Sequence, residues 1–223
     1  DGSYGTVVKM TVMLRRTGTG EVKIVGRAVK VQSDVTRHPT KLLRALREVA
    51  IMSALRGRPN CVQMLDAVFV EEEGSRDARR DAVFIVTEAC DCSLRDYQHK
   101  AHWGVGAVSD FNAVHVKVWT AQILIALVVL KKFNIIHRDI KPENLLLKWG
   151  ESGFPSVHLC DFGMSRAFDH DNGRDEQKTL GIATSAYRAP EVWCGDESYG
   201  QQIDMWGVGC VLAELFKMIR PRG

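Results

Sequence analysis

No two cysteines of this chain stand in a C-x-x-C pair; Cys61, Cys90, Cys92, Cys160, Cys194 and Cys210 are scattered. That spacing offers neither a zinc site nor a disulfide framework, and reduced thiols in a cytosolic or nuclear protein are the expectation. No apolar run comes near the ~20 residues that a membrane-spanning helix needs; the longest lies at residues 123–130. Charge of one sign is also lacking. A formal net charge of +3 implies neither a nucleic acid nor an anionic membrane as partner. The opening residues carry no signal-peptide pattern, and the first is Asp1 rather than Met, as in a fragment. Repeats and low-complexity tracts are missing too. What is present is an ordinary globular balance, 45% hydrophobic and 26% charged over 223 residues. It suffices for a core in one domain or two lobes.

The first third reads as strands. "GTVVKMTVML" is rich in β-branched residues, and "EVKIVGRAVKV" follows the turn-like "RRTGTG". "PTKLLRALREVAIMSAL" places Leu42, Leu43, Leu46, Val49, Ala50 and Leu55 at helical spacing, with Pro39 and Thr40 as start and Gly57 and Pro59 as stop. Two further strands, "CVQMLDAVFV" and "AVFIVTE", flank a charged loop. From Ser93 the pattern turns helical. "HVKVWTAQILIALVVLKKF" is apolar on most sides, as a buried helix is, and "IDMWGVGCVLAELF" closes the chain as another apolar helix. Short strands are expected near residues 145–148 and 157–160. Strands followed by helices predict an α+β protein of two lobes.

One polar block interrupts the helical part. "HRDIKPEN", His137 to Asn144, sits between apolar runs. Asp139 is a carboxylate able to accept a proton from a hydroxyl, and Asn144 offers an oxygen to a hard cation. Downstream, "CDFGMS" adds Asp161 followed by Gly163. A carboxylate beside a hydroxyl, with Asn and Asp oxygens around Mg²⁺, suits phosphoryl transfer, which needs positioning and charge neutralisation more than covalent chemistry. A plain solvated loop is the competing reading.

These residues resemble the eukaryotic protein kinases: His137-Arg138-Asp139 with Asn144, then Asp161-Phe162-Gly163, then Ala189-Pro190-Glu191. A lone DFG or APE is weak, but chance gives the seven fixed residues of HRDxKPEN with a probability on the order of 10⁻⁷ in a chain this long. The resemblance implies a serine/threonine kinase domain using ATP and Mg²⁺ on protein substrates. Its fold would be bilobal α+β, with an antiparallel sheet and one helix in the N-lobe (1–86), a hinge (87–93) and a mainly helical C-lobe (94–223). The match starts inside the Gly-rich loop and stops after the helix carrying Asp204, so the domain is truncated at both ends. Its C-lobe would lack its final helices, leaving an apolar face of "MWGVGCVLAELF" uncovered.

Residue by residue, the resemblance assigns Gly2 and Gly5 of "DGSYGTVV" to the loop over the ATP phosphates, and Lys30 of "RAVKV" to the α- and β-phosphates. Glu48 would pair with Lys30. Val7 and Ala28 would cover adenine on one side and Leu146 on the other. Thr87 would border the pocket, and Glu88 and Cys90 would offer backbone groups. Met52, Met64, His137 and Phe162 match the stacked residues linking the lobes. Asp139 and Lys141 are the catalytic pair of the loop, and Asn144 and Asp161 the metal ligands. Asp204 would brace the loop through backbone N–H groups; a helix N-cap is its competing role.

Lys141 points to serine/threonine acceptors. "AYRAPEVW" and "IDMWGVGCVLAELF" resemble the CMGC group of cyclin-dependent, MAP and MAK-like kinases, in which Arg188 accompanies a preference for proline after the target. There are departures. Gly181 stands where MAP kinases carry a tyrosine three residues before the position of Thr184. "LLRALRE" resembles the cyclin-binding PSTAIRE helix only loosely, and a cyclin or scaffold partner rests on that alone. Thr184 would contact Asp139 and Lys141, and Thr179 would be the switch threonine, acting on an unpaired Arg138. Ser3 and Tyr4 match an inhibitory Thr-Tyr pair. The rival from another class is a catalytically silent pseudokinase or scaffold, which fold alone does not exclude. A dinucleotide-binding fold is rejected because "GTG" and "GVG" lack the third glycine.

Overall fold

The computed structural model describes residues 6–15, 22–72, 80–103, 111–151, 153–167, 185–196 and 199–219, and the structural statements below concern these. The chain divides into two compact units, residues 1–57 with 62–90, and residues 58–61 with 91–223.

Unit 1 is a four-stranded antiparallel sheet with one helix. β1 (Thr6–Arg15), β2 (Val22–Ser33), β3 (Met64–Glu72) and β4 (Arg80–Glu88) are ordered β1-β2-β4-β3. Val7 pairs with Lys30, and Ala28 with Thr87. Because side chains alternate along strands, Val7, Lys30, Ala28 and Thr87 share one face. Helix α1 (Pro39–Ala54) begins at its proline, as expected, and buries Ala45, Glu48, Ile51 and Met52. Of the leucines read as its apolar stripe, Leu55 is buried and Leu42 half-buried, but Leu43 and Leu46 are exposed. The helix is rotated so that Glu48, not a leucine, reaches the sheet. The strand expected from Cys61 starts only at Met64.

Unit 2 holds α2 (Leu94–Trp103), α3 (Ala113–Lys132), α4 (Pro190–Trp193) and α5 (Gln202–Met218), with two small sheets. One sheet joins β5 (Cys92–Ser93), β7 (Leu145–Trp149) and β8 (Pro155–Leu159); the other pairs β6 (Ile135–Ile136) with β9 (Arg166–Ala167). Asn112 caps α3, its Oδ1 accepting from Val114 N at 2.9 Å. α3 is long and apolar enough to cross a membrane, which the run at residues 123–130 alone does not suggest. Here it packs on β8 and α5 and buries Val116, Trp119, Ile123, Ala126, Val129 and Leu130. The Trp119 indole N–H donates to Pro155 O at 2.9 Å, satisfying its one polar atom. Met205, Trp206 and Phe216 of α5 and Trp193 of α4 are exposed.

Candidate active site

In unit 1, Lys30 on β2 sets its Nζ 2.7 and 3.0 Å from the two oxygens of Glu48 on α1. Gln32, one strand position further along the same face, donates to Glu48 Oε2 at 2.7 Å. The carboxylate is buried and its cation nearly so, and a buried charge persists only with such partners. Gln32 was not foreseen from the sequence, although its i+2 spacing from Lys30 puts it on that face. At the end of β4, Glu88 N donates to Gln63 O at 3.0 Å, and Glu88 O accepts the Thr87 hydroxyl at 3.1 Å. A carbonyl has a second lone pair for a base. Val7 is exposed, and Gly2 and Gly5 lie outside the described residues.

In unit 2, the 137–144 loop follows β6 and ends in the 3₁₀ turn Pro142–Asn144. His137, Arg138 and Asp139 are buried, which excludes a plain solvated loop. The loop hangs on Asp204 in the first turn of α5. Asp204 Oδ2 accepts from His137 N and Oδ1 from Arg138 N, each at 2.8 Å. The N-cap of α5 is Gln201, so the capping role weighed for Asp204 is not the one it takes. Burial raises the Asp204 carboxyl above the ordinary carboxylate range; the backbone amides of His137 and Arg138 and the Arg138 charge pull it back. Arg138 sits at φ +70°, a region that costs a non-glycine residue energy. α5 approaches closely at Gly207, where a Cβ would stand 2.8 Å from Ile140 Cβ and 3.0 Å from Ile140 O.

Within the loop, Asn144 Nδ2 donates to Asp139 O at 2.8 Å and to Asp139 Oδ2 at 3.0 Å. Lys141 Nζ lies 2.7 Å from the same Oδ2. With its amide nitrogen so engaged, Asn144 presents its Oδ1 as a hard donor suited to Mg²⁺. Cys160 N donates to Asn144 O at 3.0 Å, bringing the residue before Asp161 to the loop. Asp161 adopts a left-handed conformation, φ 62° and ψ 75°, and its Oδ1 accepts from Gly163 N at 3.4 Å. Two oxygen donors from adjoining segments fit a cation that also needs phosphate oxygens. Phe162 is fully buried, edge-on to the His137 ring at 5.3 Å between centroids. His137 Nε2 donates to Cys160 O at 3.0 Å, and its Nδ1 accepts from Asp139 N at 3.3 Å. Leu146 on β7 is half-buried and pairs with Ser93 and His158.

The expectation that Arg138 is unpaired is overturned. Its Nε donates to Met164 O at 2.7 Å and its Nη1 to the Tyr199 hydroxyl at 3.1 Å. Burial is the reason, since an enclosed guanidinium must find acceptors. The Arg188 guanidinium lies over the Trp193 ring, 4.6 Å from its centroid. Ile136, Ala189, Val192, Tyr199 and Ile203 form one apolar cluster that fastens the Ala189-Pro190-Glu191 turn to α5 and β6. Thr179 and Thr184 lie outside the described residues.

This arrangement is that of a protein kinase, and the chain belongs to the protein kinase domain family, which it matches over residues 1–222. It is 35% identical over 215 residues to cyclin-dependent kinase-like 4 of Mus musculus, covering 96% of this chain and 54% of that protein. Mitogen-activated protein kinase 15 of Rattus norvegicus is 33% identical over 218 residues, covering 97% of this chain and 35% of that protein. Sporulation-specific mitogen-activated protein kinase SMK1 of Saccharomyces cerevisiae is 30% identical over 226 residues, 96% of this chain and 51% of that protein. These relatives fall in the CMGC group that the sequence resembles, and the chain spans about half of their length or less.

Proposed function

We propose that the complete protein transfers the γ-phosphoryl group of ATP to serine or threonine hydroxyls of protein substrates, favouring acceptors followed by proline. The observation that carries this reading is the Asp139 carboxylate, fixed between Asn144 at 3.0 Å and Lys141 at 2.7 Å on a buried loop. Asp139 orients the acceptor hydroxyl and takes its proton. Lys141 balances negative charge gathering beside Asp139. Asn144 and Asp161 hold Mg²⁺, and Lys30, fixed by Glu48 and Gln32, holds the α- and β-phosphates. ATP with Mg²⁺ supplies the transferable group and the charge neutralisation that the reaction needs. Val7, Ala28 and Leu146 flank adenine, and Glu88 and Cys90 bond its edge. Arg188, resting on Trp193, shapes the site for proline.

The test is a peptide-library assay of the complete protein, its Lys30→Met and Asp161→Asn variants, and Thr179→Ala after treatment with an upstream kinase. The expected result is Mg²⁺-dependent transfer to Ser/Thr-Pro peptides, nearly abolished by the first two changes. ATP binding without transfer by the wild type would make the protein a scaffold. Equal activation of wild type and Thr179→Ala would remove Thr179 as a switch. Cyclin dependence is tested by adding cyclins to the same assay.

A further inference from the structure

Helix α1 brings no cap of its own. His38, its N-cap residue, makes no side-chain bond to the helix, and the first turn holds no acidic residue. The helix starts from the turn at residues 34–38, which joins it to β2, the strand of Lys30 and Gln32. In that turn Asp34 adopts φ +56°, His38 N donates to Val35 O at 3.4 Å, and Val35 is fully buried.

Asp81, near the start of β4, receives two amides of the turn. Its O accepts from Asp34 N at 2.8 Å, one step beyond the Ser33–Ala82 pair of the ladder. Its Oδ2 accepts from Thr36 N at 2.7 Å, across 45 residues of sequence. The main chain of β4 thus holds the turn as far as Asp34, and the Asp81 side chain holds it where the chain leaves the sheet. Asp81 is 4% exposed. Burial pushes its carboxyl up, but the Thr36 hydroxyl and the amides of Thr36 and Val35 hold it below the ordinary carboxylate range. An ionised acceptor makes the stronger hydrogen bond.

A helix turns by about 100° per residue, so the residue at which α1 starts decides which face meets the sheet. The face in place is that of Ala45, Glu48, Ile51 and Met52. It desolvates the Glu48 carboxylate while Leu43 and Leu46 stay exposed, and a buried carboxylate is tolerated only where its partners meet it. Those partners, Lys30 and Gln32, stand on β2 at 2.7–3.0 Å, and hydrogen bonds weaken steeply once geometry is lost.

We propose that Asp81 is a positioning residue for the Lys30–Glu48 pair: by holding the 34–38 turn it fixes the start and the rotation of α1 and so brings Glu48 to Lys30. Asp81 acts on the ATP site through Glu48.

The inference rests on the reading of Lys30 as a ligand of the ATP phosphates, and the experiment keeps the two apart. Complete wild-type protein, Asp81→Ala, Asp81→Asn, Glu48→Ala and the double variant Asp81→Ala/Glu48→Ala are compared, after thermal melts establish that each folds. One readout is steady-state kinetics with ATP and a Ser/Thr-Pro peptide. The other is the rate at which an amine-acylating reagent modifies Lys30, followed by mass spectrometry. Asp81→Ala should lower kcat/KM for ATP roughly tenfold, the worth of a charge-assisted hydrogen bond, and leave the peptide KM unchanged. Lys30 should be acylated several-fold faster as its ammonium leaves the carboxylate. Asp81→Asn, which keeps an acceptor for Thr36 N without the charge, should fall between wild type and Asp81→Ala. With Glu48 already removed, Asp81→Ala should add little, because both changes act on one contact. A merely structural Asp81 would lower the melting temperature with Lys30 labelling and ATP kinetics unchanged, or lower activity equally with and without Glu48; either result overturns the proposal. If Asp81→Ala does not fold, Asp81→Asn carries the test: Lys30 labelling between that of wild type and Glu48→Ala supports the proposal, and wild-type labelling overturns it. If no protein transfers phosphate, the functional reading fails and Lys30 labelling alone decides, by the same criteria.

Discussion

Glu48 in unit 1 and Asp204 in unit 2 are both buried helix carboxylates, 2% and 3% exposed, but they hold different things. Glu48 grips side chains: the Lys30 ammonium and the Gln32 amide, both on rotatable stems. Asp204 grips main chain: the amides of His137 and Arg138. Neighbouring contacts in unit 2 follow the same habit, with Asn144 on Asp139 O, Arg138 on Met164 O, and Ser165 Oγ on His137 O at 3.3 Å. A side-chain pair can part by rotamer changes while the sheet and helix persist. A backbone-anchored loop has no such freedom, because releasing it strands buried N–H groups. The two anchors therefore separate what can be switched from what must stay fixed.

The largest break in this comparison is Asp204→Ala. Each orphaned buried amide costs roughly 1–3 kcal/mol, so two cost about 2–6, a large share of a typical domain stability of ~5–15 kcal/mol. Calorimetry should find the melting transition of unit 2 lowered or lost. Glu48→Ala leaves Lys30 and Gln32 near enough to the surface to find water, so the fold should persist while activity falls. Equal destabilisation by the two substitutions would refute the distinction. Next in size is Gly207→Ala. Alanine favours a helix interior by ~1 kcal/mol, but the new methyl would press on Ile140 Cβ and O, and overpacking costs about 1–3 kcal/mol. Net destabilisation with a loss of kcat is expected; a stabilised, fully active variant would show that the loop yields.

Much of this was legible in the sequence because it is local. HRDxKPEN, DFG and APE are short spacings whose residues end together in unit 2, and Lys30 and Glu48 are joined in unit 1 as the family resemblance implied. What was not legible depends on tertiary placement. Leu43 and Leu46 of α1 have helical spacing, yet spacing cannot say which face turns inward; the inward face is that of Ala45, Glu48, Ile51 and Met52. Arg138 was read as unpaired because its acceptors, Met164 O and the Tyr199 hydroxyl, lie 26 and 61 residues downstream. Arg95, on α2, donates to Glu143 and Glu214, which lie 48 and 119 residues downstream.

A smaller test concerns Gln32, the second donor to Glu48. Its hydrogen bond to a charged acceptor is worth about 1.5–3 kcal/mol at most, and less here because Lys30 remains on the carboxylate. Gln32→Ala should lower the melting temperature by only a few degrees. If the side-chain anchor is the adjustable one, the KM for ATP should rise more than stability falls. An unchanged KM with a large stability loss would make Gln32 a core residue and not a tuner of Lys30.

The smallest effect expected at neutral pH belongs to Cys61, in the short segment that unit 2 takes from the N-terminal part of the chain. Asn60 fastens that segment to β8, its O accepting from Leu159 N at 2.8 Å and its Nδ2 donating to Val157 O at 2.9 Å. Cys61, bridged to Leu159 of β8, is buried, and burial pushes its thiol from 9.0 up to about 12. The folded state thus keeps a proton that the unfolded chain releases near pH 9. Stability is fully present below that value and declines as pH rises toward 12. The loss is well under ~1 kcal/mol at pH 9 and on the order of 1 kcal/mol at pH 10. Cys61→Ala should flatten the alkaline arm of the stability curve by those amounts, while exposed Cys194 reacts with thiol reagents at native pH and Cys61 only on unfolding. Rapid labelling of Cys61 in the native protein would mean that the 58–61 segment opens freely, and that backbone anchoring in unit 2 is no tighter than the side-chain grip of unit 1.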